Sequence, residues 1–444
     1  MNLKSIIYGL ILLVSISSCQ QKDLDLVFSE TPDVRMKTKL DSISSALISA
    51  PNGWKATVGT GLKGGYGFYF TFDDQQVVKM VGDLTDESMT KLQESNFRVK
   101  QDNGATLIFD TYNYITMLNH PDPSVYGGTI REGLRSDLEY RFKSSSADTM
   151  VFVGKRYANE LVLVKATAEE KNKYISSSYL TAVNSTKAFF TNNENPYIEF
   201  TEGGKTYQMG IALALNNKTI EFASLEADNS TSAASGKFAF SLDGVDVING
   251  GVPYRGITFL YVKKEADKYY MVDSKGSKYE LKNSSTPILP LYKLIGSKYV
   301  GFRSPYLTYF PGTSADGLTI LKRFHEGLAS GATGYLFNSG YIDIAFDTRN
   351  KRVVFSGASS QSNGQSHWIT TITYNYVLDD NTGIFTLTLR EGATGGYTSA
   401  IMDQLHSFLL TSRIKFDYYS DSGNVYGKMI GVDKPNVEIT FRMR

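Results

Sequence analysis

The sequence predicts an α+β protein that is mostly antiparallel β, built as hairpin-rich sheets or a sandwich with a few packing helices. Three observations predict it. Four segments alternate apolar and polar residues, turn over a polar loop and resume in β-branched or aromatic residues. The composition combines 29 Tyr and 39 Gly with abundant Ser, Thr and Asn, which suits pleated strands joined by polar turns. Helical periodicity is confined to a few short stretches.

The chain starts with basic Lys4 and an apolar run from Ile6 to Ile16, too short to span a membrane, so residues 1–18 read as a signal peptide. The run ends in Ile16-Ser17-Ser18-Cys19, small residues before the only cysteine, which makes Cys19 the expected lipid-attachment point. With that thiol lipidated, no disulfide framework is available and the fold must rest on its core. Residues 19–30 would be a lipidated tether, and Gln20-Gln21-Lys22-Asp23-Leu24-Asp25 resembles the short signals that send Bacteroidota lipoproteins to the outer face of the outer membrane.

The first folded element is a helix: Thr31 caps it, Pro32 suits its first turn, and Met36, Leu40, Ile43 and Leu47 recur until Pro51-Asn52-Gly53 stops it. Trp54 opens an extended stretch, and Tyr66, Phe68, Phe70 and Phe72 share one face of a strand. Hairpins are expected at Phe68 to Val81, Met209 to Phe222, Ile257 across Lys264-Glu265-Ala266-Asp267, and Ile342 to Phe355. They share no fixed period, so they do not make a repeat protein. Thr167-Ala168-Glu169-Glu170 has capping-box spacing for a helix continuing through Ile175 and Tyr179, and Ser399 to Ser412 reads as another. The polar stretch Asn184 to Lys187 marks the expected boundary between an N-terminal domain, 31–183, and a β-rich C-terminal region, 184–444; Ser284-Ser285-Thr286-Pro287 is the alternative.

Charge excludes one class of partner. Lys plus Arg total 46 against 45 acidic residues, so there is no electrostatic footprint for nucleic acid. Gly59-Thr60-Gly61-Leu62-Lys63-Gly64 matches a dinucleotide fingerprint by letter but leads into a strand, not a helix, so no cofactor is expected. His120, His325, His367 and His406 lack metal-ligand spacing, and no metal is expected. No Gly-x-Ser-x-Gly occurs; Gly312 to Gly317 reads as an exposed turn. Asp73-Asp74 and Asp379-Asp380 fall in hairpin turns, where Asp serves the turn itself. No catalytic residue is assigned.

Five blocks recur in an order that resembles a known family: Ala50-Pro51-Asn52-Gly53-Trp54, Gly64-Gly65-Tyr66 with Phe68 to Phe72, Phe109-Asp110-Thr111-Tyr112, His120-Pro121-Asp122-Pro123, and Asp148 through Gly154-Lys155-Arg156. They resemble an uncharacterised family of Bacteroidota outer-membrane lipoproteins, often encoded beside starch-utilisation-type importers. The resemblance spans about Pro32 to Lys165 and departs at Asp137-Leu138-Glu139-Tyr140-Arg141-Phe142. It implies nutrient capture at the cell surface, beside a TonB-dependent transporter and its substrate-capturing lipoprotein.

Candidate ligand contacts are Trp54, His120, Asp122, His367 and Trp368. Trp54 reads first as a plug of a helix against a sheet, and Pro121 and Pro123 would stiffen a loop around Asp122. Trp368 follows the polar stretch Ser359 to Ser366 and is the preferred aromatic platform for a sugar or peptide. The expected function is a non-catalytic surface lipoprotein, an accessory of an outer-membrane uptake complex that binds oligosaccharide or peptide. The alternatives are a polymer-degrading hydrolase with dispersed carboxylates and a structural or adhesive envelope subunit.

Overall fold

A computed structural model describes residues 30–444. The signal segment, Cys19 and nearly all of the tether lie outside the described residues. Its regular structure is mostly antiparallel β-sheet, in three barrel-like bodies.

The first body is closed by β1 (Trp54–Gly59), β2 (Gly65–Phe72), β3 (Val77–Gly82), β4 (Gln93–Gln101), β5 (Ala105–Phe109), β6 (Glu139–Ser145), β7 (Thr149–Gly154) and β8 (Glu160–Lys165). Closure comes from Trp54 and Val58 on β1 facing Lys165 and Leu161 on β8. The helix Pro32–Ile48 covers this barrel: Thr31 caps it as expected, and Ile43 and Leu47 enter the core with Phe68, Phe70, Phe97 and Phe152. The helix ends at Ile48 with Ser49 as its C-cap, and Gly53 then turns the chain into β1 at φ +72°, a conformation that suits glycine; a Cβ there would overlap the Phe70 carbonyl.

The second body orders β9 (Pro196–Glu202), β10 (Lys205–Ala214), β11 (Thr219–Leu225), β12 (Thr231–Ser241), β13 (Gly244–Val247), β15 (Ile257–Glu265) and β16 (Lys268–Asp273) as neighbours, with β14 (Val252–Tyr254) on β15. The next chain segment joins its two edges. β17 (Lys278–Glu280) pairs with β16 while β18 (Lys282–Asn283) pairs with β9, so both edges are covered by consecutive residues.

The third body closes through β19 (Gly301–Pro305), β20 (Ser339–Asp347), β21 (Arg352–Ser360), β22 (Trp368–Asp379), β23 (Ile384–Thr394), β24 (Ile414–Asp421), β25 (Asn424–Gly431) and β26 (Glu438–Met443). Two helices, Ala315–Ala329 and Asp403–Thr411, contribute Leu321, Phe324, Leu405 and Phe408 to its core.

All four expected hairpins form: β2 with β3, β10 with β11, β15 with β16, and β20 with β21. Three local expectations change. Gly312 to Gly317 is no exposed turn, because Ser314 caps the helix Ala315–Ala329 by accepting from Gly317 N at 3.1 Å. The helix begun at the Thr167 capping box breaks at Ser177, φ +62°, and resumes as Ser178–Asn192. Asn184 to Lys187 therefore lies inside a helix, whereas Ser284 to Pro287 lies between the second and third bodies.

The first two bodies touch along β2 and β12. Gly64 N donates to Asn217 O at 2.8 Å, and a Cβ on Gly67 would overlap the carbonyl of Phe240. The glycines of this strand thus permit backbone approach rather than ligand approach. Because β2 is sandwiched, its outward Tyr69 is also buried and stacks on Tyr174 at 5.0 Å.

Candidate functional site

At one end of the third barrel, β20 and β22 begin where β21 and β23 end: Ser339 faces Ser360, Ser359 faces Trp368 and Thr371 faces Thr394. Loops from these ends gather aromatic side chains. Trp368 is 41 % exposed, Tyr397 40 % and Tyr335 51 %, with Leu336 and Ile369 exposed beside them. Tyr335 and Tyr397 lie 4.9 Å apart, Trp368 and Tyr397 5.9 Å, and buried Phe337 sits 6.1 Å from Trp368 beneath them. A clustered exposed apolar surface of this kind marks a contact site.

The platform is held from below. Thr370 Oγ1 donates to Gly395 O at 3.1 Å and accepts from Thr398 N at 3.0 Å, which fixes the loop bearing Tyr397. The polar loop before Trp368 is tied by its own groups: Ser360 Oγ accepts from Ser362 N and Gly364 N, and Asn338 Oδ1 accepts from Asn363 N at 3.0 Å. His367 packs on Tyr341 at 5.1 Å, and the Arg303 guanidinium covers that ring at 3.9 Å. Aromatic rings with few rotatable bonds on fixed loops lose little entropy on binding.

The other expected contacts are elsewhere and serve the fold. Trp54 is 1 % exposed and its Nε1 donates to Leu47 O at 2.9 Å, so it is a core residue and no ligand contact, correcting that expectation. His120 Nδ1 accepts from Asp122 N at 3.1 Å. Asp122 caps the turn Pro123–Tyr126, and the Ser124 N–H holds its carboxyl below the usual range. His120 and Asp122 belong to the first barrel and are not brought to Trp368. Buried Asp137 accepts from Arg156 N and Tyr157 N, and a Cβ on Gly154 would overlap its carboxylate. The Gly154-Lys155-Arg156 block is therefore a folding clasp.

Asp73 and Asp379 accept from backbone amides two residues on, as turn aspartates. His325 is fully buried, its Nε2 lies 3.0 Å from Ser304 Oγ, and burial pushes its titration down to about 4. Among the described residues no three His, Cys, Asp or Glu side chains cluster as metal ligands. A cavity of about 370 Å³ between β1, β8 and the second body is lined by Asp246 and Glu160. Burial, helped by nearby Asp243, pushes the Asp246 carboxyl up to about 6. Glu160 is tied to Lys143 at 2.7 Å.

The sequence marks Trp368 and His367 as candidates, and the structure sets beside Trp368 the rings of Tyr335, Phe337 and Tyr397, which arrive from separate loops and which the sequence does not single out. One signal was present. No Asp, Glu, Lys or Arg occurs in 327–342, 353–378 or 392–402, the three stretches that build the platform end.

These features define a class of protein: a three-body antiparallel β scaffold with a rigid aromatic platform on its last barrel. The chain belongs to the family described as the domain of unknown function DUF4302, which residues 25–266 match. That match covers the first barrel and most of the second body, and the platform lies beyond it. No curated protein matches the sequence. Among solved structures, the β sliding clamp of C. crescentus is 10 % identical over 92 % of this chain and 96 % of that one, with a TM-score of 0.13. A mutant of transferrin binding protein B from Haemophilus parasuis Hp5 is 9 % identical over 88 % and 74 %, with a TM-score of 0.14. At those scores neither likeness informs fold or function.

Proposed function

We propose that the protein is a non-catalytic, lipid-anchored accessory of an outer-membrane uptake complex and that the Trp368 platform captures a neutral oligosaccharide. The observation that carries this is the absence of charged residues from all three platform stretches. A charged ligand would lose its hydration there without a counter-charge. A neutral sugar offers apolar ring faces to Trp368, Tyr397 and Tyr335 and hydroxyls to Gln361, Asn363, Gln365 and Ser366. The same consideration ranks oligosaccharide above peptide.

The cellular setting rests on sequence. The Ile16 to Cys19 segment supports lipid attachment, the residues after it support export to the cell surface, and the Ala50 to Trp54 block supports kinship with Bacteroidota lipoproteins found beside TonB-dependent importers. No helix among the described residues is long and apolar enough to cross a membrane.

The test is to recover the lipidated protein from outer membranes and to pass it over immobilised glycans and peptides. Co-purification of a transporter with retention on a neutral glycan supports the reading; recovery alone with retention on neither panel overturns it. A hydrolase is the second reading, favoured by the raised carboxyl of Asp246 in a cavity shared with Glu160. Polymer cleavage that disappears in Asp246→Asn would replace binding by catalysis.

A further inference from the structure

A cleft separates the second body from the third barrel, and it shares no lining residue with the aromatic platform. It has two chambers, of about 420 Å³ and about 680 Å³. Both are lined by Glu194, Asn195, Pro287 and Lys298, so they are continuous.

The smaller chamber is mostly apolar, with Glu221 on its sheet floor and the shared Glu194 and Lys298 also lining it. Its floor is the outer face of β10, β11 and β12, where Gly210 faces Ala223 and Ala223 faces Ala233 across the ladder. These side chains end at or before Cβ, and Ile288, Leu289 and Leu294 overhang them from the connecting segment. Protein interiors are close-packed, so a gap of this volume between a mostly apolar floor and an apolar wall is a space shaped for an occupant.

The larger chamber has a different chemistry. Tyr299, Phe310 and Tyr426 line it together with Lys298 and Arg442, and Phe310 and Tyr426 lie 4.9 Å apart. Among the described residues neither cation forms an ion pair. Glu194 is the one acidic residue lining this chamber, against two cations.

We propose that this cleft binds an amphipathic anion, its apolar stem over the small-residue floor and its carboxylate or phosphate head at Lys298 and Arg442. Lys298 and Arg442 of the larger chamber, which Glu221 does not line, select the head, and the small-residue sheet face selects an unbranched stem over a bulky one. The site is independent of the oligosaccharide platform, so failure of one leaves the other intact.

Titration calorimetry below micellar concentrations tests it, using dodecanoate, dodecyl phosphate and neutral dodecyl maltoside. The wild-type protein binds at least one of the anions with one-to-one stoichiometry and at least tenfold more tightly than the maltoside; the better anion identifies the head group. Lys298→Gln with Arg442→Gln weakens the anions at least tenfold and leaves the maltoside unchanged. Ala223→Phe, which fills the floor from an outward-facing position, removes anion binding while thermal unfolding and glycan retention stay as in the wild type. Absence of anion binding, or anion binding untouched by both sets of substitutions, overturns the proposal.

Discussion

Lys218→Met probes the lock between the first barrel and the second body. Lys218 Nζ lies 2.8 Å from Asp83 Oδ2 and 3.7 Å above the Tyr66 ring, with the two charged side chains 8 % and 0 % exposed. Asp83 Oδ2 also accepts from Phe240 N at 2.9 Å. Burial pushes the lysine down to about 8 and the carboxyl upward, so for each partner desolvation outweighs their mutual attraction. Removing the cation strands a buried carboxylate, which costs ~3–5 kcal/mol. Adding Asp83→Asn removes the charge and keeps an acceptor for Phe240 N, so the double variant should lose only about 1 kcal/mol. The assay is urea unfolding at pH 7 in a Trp368→Phe background, where Trp54 is the sole remaining tryptophan and reports on the first barrel. A cost below about 1 kcal/mol for Lys218→Met, or a double variant as unstable as the sum of the singles, would refute the reasoning.

Three further outcomes follow from the same packing. His325 titrates at about 4 when folded and near 6.5 when unfolded, so the unfolded chain takes the proton first. Its contribution is complete above about pH 6.5 and falls by roughly 3 kcal/mol as pH drops to 4; His325→Gln should flatten that difference in the stability-versus-pH curve, and an unaltered slope counts against it. Gly67→Ala should destabilise by about 2 kcal/mol or more because its Cβ would overlap the Phe240 carbonyl and crowd the Tyr179 hydroxyl; an unchanged melting temperature would show the contact to be loose. Trp54→Phe should cost ~1–2 kcal/mol through its lost bond to Leu47 O while leaving glycan retention unchanged; lost retention in the folded variant would return Trp54 to the site.

Local patterns were legible because their causes are local. The alternation of Tyr66, Phe68, Phe70 and Phe72 and the polar turn after it placed β2 and β3, and Thr31 placed the first helix. The helix Ala315–Ala329 was hidden by Gly317 and Gly327, both poor helix formers kept here because Glu438 O and Ile401 crowd them. Closure of the barrels joins residues as distant as Trp54 and Lys165, and no local spacing announces that pairing. The site divides in the same way. Trp368 stood out beside a polar run, whereas Tyr335 and Tyr397 became its neighbours only through three loops meeting. Among the conspicuous N-terminal blocks, Gly53, Trp54 and Gly154 answer to a tight turn into β1, a core plug and the close approach of the Asp137 carboxylate.

The central claim is that an aromatic platform built from three stretches without charged residues holds a neutral sugar. Titration of Trp368→Ala against a neutral oligosaccharide retained by the wild type tests it most directly. The account predicts a roughly 10- to 30-fold loss of affinity, about 1.4–2 kcal/mol, with unchanged thermal stability. It also predicts wild-type affinity independent of ionic strength. Undiminished binding by Trp368→Ala, or affinity that falls steeply with salt, would contradict it.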